Sequence, residues 1–164
     1  MGYNLEQFAA DCRAALETGA NATSLETVRA NVSRACLDQT FVETYLGDDN
    51  KNPRKLLYQD DKLGFCIFAH AHAGAADGGK PHDHGPSWAV YGQAVGTTEM
   101  TDWRVDEDDP KRVRATRTYE LQPGDAYTYG VGDIHSPSRA GSPRLIRVEG
   151  INMDGVERRW FESP

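Results

Sequence analysis

Five histidines, His70, His72, His82, His84 and His135, carry most of the metal-binding and proton-transfer chemistry open to this chain. Four of them fall within fifteen residues. His82-Asp83-His84 is an HxH pair. On extended backbone, residues i and i+2 point to one face, so two imidazoles can reach one ion. An isolated HxH also arises by chance or as a surface feature. Asp83, between the two, is expected to point away from them, at the surface or behind the imidazoles. Neutral imidazole suits Fe(II), Zn, Ni and Cu alike, so the pair alone does not choose a metal. His70 and His72 have the same spacing. They are read as a proton-shuttling pair, as a rival metal pair or as outward-facing side chains.

The elements that must position these residues change character near residue 50. Before it the pattern is helical. Asn4 with Gln7 can cap a first helix that Gly19 ends, and Leu5, Phe8, Ala9, Cys12, Ala15 and Leu16 form its apolar stripe. Thr23 with Glu26 reads as a second capping box, followed by Leu25, Val28, Val32, Ala35 and Cys36. A third helix is expected from about Gln39 to Leu46, stopped by Gly47. After the polar linker Asp48 to Pro53 the signals are short strands. They are expected at Lys55 to Gln59, Phe65 to His72, Ser87 to Val95, Thr97 to Val105, Arg112 to Leu121, Ala126 to Tyr129 and Arg144 to Gly150. Short strands this closely spaced predict a sandwich or barrel. A Gly/Ala loop, Ala73 to Lys80, precedes the HxH pair.

The bulk numbers bound the function. A chain of 164 residues suits one domain, here residues 1–164. Its net charge of -7 argues against nucleic acid and anionic membranes as partners. No run approaches the length of a membrane span, and Met1 to Asn4 lacks the basic region of a secretory leader. Cys12, Cys36 and Cys66 are widely spaced, which predicts reduced thiols and a cytoplasmic location.

The wider pattern adds weight to the HxH pair. His84 is followed by Gly85-Pro86-Ser87-Trp88-Ala89-Val90-Tyr91-Gly92 and, further on, Gly96. Then come Pro123-Gly124-Asp125 and Gly132-Asp133-Ile134-His135. Over residues 54–161 this resembles the two-part signature of the cupins. The resemblance implies an all-β fold, a double-stranded β-helix or jelly-roll barrel with a small N-terminal helical segment at residues 1–47. It also implies that His135 joins His82 and His84 on one metal. Many cupins add a glutamate a few residues after HxH, and Ala89 stands there, leaving three histidines. Such a set keeps positions open for substrate and dioxygen, chemistry that iron performs and zinc does not. Iron(II) is the expected metal, with Zn, Ni or Mn as alternatives.

Among cupins the chain is most similar to the thiol dioxygenases, of which cysteine dioxygenase is the type. The His82-Asp83-His84 triplet, the three-histidine set and the helical N-terminal segment carry that resemblance. It implies that Arg54, heading the segment Arg54 to Gln59, points into the barrel and holds a substrate carboxylate or, alternatively, Glu149. The family's last strand carries a Ser, His and Tyr on alternate positions, and here these become Leu145, Arg147 and Glu149. The tyrosine-dependent mechanism therefore does not transfer. Glu149 is expected to face the metal cavity as a general base or acid, with Arg147 holding an anion or tuning it. The alternative is a structural Arg–Glu pair. His70, His72, Trp88, Tyr91, Tyr127 and Tyr129 are expected to wall the substrate pocket.

The expected function is a dioxygenase using O2 and a small organic substrate that bears a thiol or carboxylate, in a monomer or homodimer. Alternatives on the same scaffold are a metal-dependent lyase, isomerase or hydrolase, and a non-enzymatic ligand-binding protein.

Overall fold

The computed structural model describes residues 2–74 and 79–162. The Gly/Ala loop expected from Ala73 to Lys80 thus lies partly outside the described residues. Helix α1, Leu5–Leu16, starts as expected. The Asn4 side chain accepts from Gln7 N at 2.8 Å, and the Gln7 side chain accepts from Asn4 N at 3.3 Å. Helix α2, Ala22–Leu37, is capped two residues before the expected Thr23–Glu26 box. Asn21 pairs reciprocally with Ser24 instead, and Ser24 also donates back to Gly19 O at 2.7 Å, which closes the turn earlier. Helix α3, Gln39–Leu46, is capped by Asp38, whose other oxygen accepts from Tyr3 N at 2.7 Å and ties down the N-terminus.

Among the described residues eight strands follow: β1 Lys55–Gln59, β2 Cys66–Ala71, β3 Ala89–Val95, β4 Thr98–Val105, β5 Val113–Leu121, β6 Ala126–Tyr129, β7 Ile134–Arg139 and β8 Arg144–Glu149. Strand β7 is not among the expected strands, and it contains Pro137. The fold tolerates it since β7 is the edge of its sheet, where a missing N–H costs least.

The strands form two antiparallel sheets, ordered β1-β2-β8-β3-β6 and β5-β4-β7. The sheets face each other around Ala89, Tyr91, Met100, Leu121, Tyr129 and Leu145. The outer face of the larger sheet packs on the helices. Ile67, Ala69, Val90, Ile146 and Val148 meet Phe8, Cys12, Val28, Val32 and Phe41 there. Strand β3 runs directly under α2 at Gly92. A Cβ at that position would lie 2.4 Å from Val32 Cγ1 and 2.7 Å from Cys36 Sγ, so only glycine allows the approach.

The three cysteines are free and buried. Burial pushes the thiols of Cys12 and Cys36 up to about 12, so they are poor nucleophiles. Among the described residues, no helix is long and apolar enough to cross a membrane.

Candidate metal centre

A two-residue bridge starts the site. His82 N donates to His135 O at 3.1 Å, and His135 N donates to His82 O at 3.0 Å. This sets the two rings side by side, with centroids 5.0 Å apart. Beyond it the chain turns through Gly85, whose φ is +57° and whose N–H donates to Asp83 Oδ1 at 2.9 Å. A side chain at Gly85 would also strike Glu157 O at 2.5 Å. The turn brings His84 against His135, with ring centroids 4.8 Å apart. Ligand atoms of His82, His84 and His135 all lie within 4.8 Å of one another, and all three residues are buried.

Asp83 corrects one expectation, because it is buried rather than at the surface. It accepts from Gly85 N, from Arg159 N at 2.9 Å and from Arg159 Nε at 2.6 Å. Burial pushes its carboxyl up, but these donors hold it below the usual carboxylate range. Asp83 thereby straps the C-terminal segment across the site. Phe161 N donates to Pro81 O at 2.8 Å in the same strap. The ring of Trp160 rests 4.8 Å from that of His82. Sequence reasoning missed Trp160, and its only signal is an aromatic that stays 59% exposed.

The donor chemistry fits a metal. His82 Nδ1 lies 2.9 Å from Lys80 O. A carbonyl only accepts, so Nδ1 carries the hydrogen and Nε2 keeps a free electron pair. Burial, foremost, lowers the pKa of all three imidazoles, which keeps them neutral. His84 Nε2 and His135 Nε2 face each other at 3.1 Å. Tyr91 Oη lies 2.9 Å from the first and 3.3 Å from the second. Protons alone serve this trio badly. His84 Nε2 offers either one hydrogen or one lone pair, so it serves only one of its two neighbours at a time. A cation among the electron pairs removes the conflict. Two atoms bound to one ion at about 2.1 Å are separated by about 3.0 Å at a right angle, close to the spacing seen here. Ala89 faces the same interior and brings no ligand.

The strand β8 face is as expected. Leu145 joins the inner cluster, while Ile146 and Val148 join the helix side. Glu149 is fully buried on the inner face. Its Oε1 accepts from Arg54 Nη1 at 3.2 Å and Arg147 Nη1 at 3.0 Å, and its Oε2 accepts from Arg54 Nη2 at 3.1 Å. Burial raises its pKa, but the two guanidiniums win and hold it below the usual range. A carboxylate held this way is a weak base at neutral pH, so the general-base expectation gives way to an ion-paired clamp.

Arg54 meets the alternative sequence reading, the one toward Glu149. It also donates to Asp154 through Nε at 2.9 Å and lies 3.8 Å over the Phe68 ring. These contacts use three of its five N–H donors.

Arg147 reaches further in, 4.2 Å over the ring of Tyr91. With His70, His72, Tyr91, Thr98 and Arg139 it lines a narrow cavity. His70 Nδ1 donates to Pro53 O at 2.6 Å, and its buried Nε2 has no partner among the described residues. The His70 and His72 rings stack at 5.8 Å, and burial holds His72 down to about 4. They sit on the cavity, apart from the three-histidine group.

Tyr129 lies with its ring 4.2 Å from that of His135 and its Oη 2.6 Å from Tyr119 Oη. Tyr127 lines the outer cleft beside it. Trp88 overturns its expectation. It belongs to the helix-side cluster and packs over Gly150, where a Cβ would lie 2.6 Å from Trp88 Nε1. Strand alternation puts it on the opposite face from Ala89 and Tyr91.

No protein-family model matches the chain, and no curated protein matches it in sequence. Solved structures do match. One is an uncharacterized conserved protein with a double-stranded β-helix domain from Klebsiella pneumoniae. It is 14% identical, covering 74% of this chain and 88% of that one, with a TM-score of 0.50. A protein from Bacillus halodurans is 13% identical over 62% of this chain and 71% of its own, also at 0.50. A cupin superfamily protein from Desulfitobacterium hafniense is 17% identical over 60% and 76%, at 0.45. The fold is a double-stranded β-helix with a helical N-terminal segment. On that fold the three-histidine group is a candidate metal site.

Proposed function

We propose that this chain is an iron(II)-dependent cupin enzyme that joins dioxygen to a small organic substrate bearing a carboxylate or thiol, chemistry akin to that of the thiol dioxygenases. The observation that carries this reading is the convergence of three neutral imidazoles with no carboxylate among them. Iron held by such a set supplies open coordination positions and a redox couple able to engage dioxygen.

The remaining residues support binding and orientation. Arg147 and Arg139 bring two guanidiniums to one cavity, and Glu149 offsets only the first. The space between them is about 20 Å³, room for one water-sized group, so an anionic substrate end would have to part these side chains to meet their positive charge. His70 Nε2, an acceptor because Nδ1 donates to Pro53, can take a hydrogen bond from the substrate. Glu149 fixes the position of Arg147, so it is a positioning residue. Trp160 and Tyr129 cover the imidazoles and keep bulk water from them.

The test is an oxygen-electrode screen of Fe(II)-loaded protein against small thiols, β-dicarbonyls and hydroxy-aromatic acids. Oxygen uptake that depends on both iron and substrate is the expected result. Turnover without oxygen uptake would overturn the dioxygenase reading.

A further inference from the structure

Strand β3 carries an inward-facing oxygen two residues beyond Ala89, the position where many cupins have their glutamate. That oxygen is Tyr91 Oη. It lies 2.9 Å from His84 Nε2 and 3.3 Å from His135 Nε2, and those nitrogens are 3.1 Å apart. Three such separations are the edges of a coordination polyhedron, since ligands about 2.1 Å from one ion sit about 3.0–3.4 Å apart at right to tetrahedral angles. A phenol that merely lined a substrate pocket has no need to touch two ligand nitrogens at once.

The rest of the ring is fixed. It makes edge contacts with His84 at 5.6 Å, His135 at 5.2 Å and Tyr129 at 5.1 Å. The Arg147 guanidinium lies 4.2 Å over its face, a cation placed where the ring would carry negative charge. Among the described residues the two imidazoles are the only hydrogen-bond partners of Oη.

We infer that Tyr91 is the fourth protein ligand of the metal, coordinating through Oη in place of the missing carboxylate and giving a three-histidine, one-tyrosinate site. Tyr91 Oη would hold the metal as a phenolate, its proton passing to solvent. The inference rests on the metal-binding reading above. It departs from the sequence expectation, which gave Tyr91 to the substrate.

The test is spectroscopic. Protein is loaded with Fe(II) without oxygen, then oxidised in place to Fe(III) with ferricyanide. Iron content, visible absorption and resonance Raman spectra are recorded for wild type, Tyr91→Phe and Tyr129→Phe. Wild type is expected to bind one iron and show a phenolate-to-iron charge-transfer band with phenolate ring modes. Tyr129→Phe keeps the band. Tyr91→Phe loses it and binds iron at least about tenfold more weakly. One bound iron without the band in wild type overturns the ligand assignment and leaves the metal reading standing. A band that survives in Tyr91→Phe does the same. No iron in any sample overturns both. Should Tyr91→Phe fail to fold, the wild-type Raman spectrum still decides.

Discussion

Strand β8 serves two environments by turns. Ile146 and Val148 press outward into α1, α2 and α3. Leu145, Arg147 and Glu149 point between the sheets, and there a buried carboxylate holds two guanidiniums. The outer face needs only volume and shape, and such cores absorb substitutions that keep both. The inner face needs complete pairing, because an ion left alone in a dry interior costs several kcal/mol. One face therefore holds the fold together, and the other keeps charge beside the candidate metal centre. The contrast teaches that the residues on which function would depend need not be the ones that supply stability.

The sharpest way to break this comparison is at the histidines. His135→Ala is expected to abolish metal binding while leaving the far-ultraviolet circular dichroism spectrum in place. Metal analysis after dialysis checks it. Retained stoichiometric metal would show that the three imidazoles are packing residues like those of the outer face.

Glu149→Gln is expected to cost about 3–5 kcal/mol in denaturant unfolding, since it leaves Arg54 and Arg147 facing a neutral amide in a largely buried site. A cost well below that would mean water reaches the clamp. Turnover should fall as well, through a misplaced Arg147, with no shift of the pH–rate profile. A shifted profile would restore Glu149 to the role of general base.

On the outer face, Ile146→Val is expected to cost about 0.5–1.5 kcal/mol and to leave metal affinity unchanged. A titration with and without the substitution tests the independence of the two faces. Weaker metal binding in this variant would mean that the sheet transmits packing changes to the site.

The smallest effect is one of acidity. Burial holds His72 near 4, against 6.5 in the ordinary case, so between these values the unfolded chain binds a proton that the folded chain refuses. Stability is then full above about pH 6.5 and declines as the pH falls toward 4. The Tm of metal-free protein should drop over that range, and His72→Gln should lessen the drop, the rest coming from His70, His82, His84 and His135, which burial also lowers. An equal slope in both proteins would mean that His72 titrates normally.

Much was legible before folding. Periodicity placed three helices and most strands, because each has one face against the core and a cap or glycine at its end. The HxH spacing singled out the first two imidazoles, and the likeness to the cupins added His135. Other features were hidden. Strand β7 is not among the expected strands, and only the sheet order makes it an edge that tolerates Pro137. Trp160 comes onto His82 from a segment with no motif of its own.

Alternation alone determined which residues share a side of each strand: Leu145 with Arg147 and Glu149, Ala89 with Tyr91, Trp88 with Val90. Which side faces the cavity was decided only in three dimensions. The reason is physical. Strands β2 and β3 are buried on both faces, so hydrophobicity marks neither as inner, and Trp88 could be assigned to the wrong one. Pairings across the chain were decided there too. Arg54 meets Glu149 from 95 residues away, and His84 meets His135 from 51. Such contacts depend on strand register, which no local pattern encodes and which the closed arrangement of the two sheets imposes.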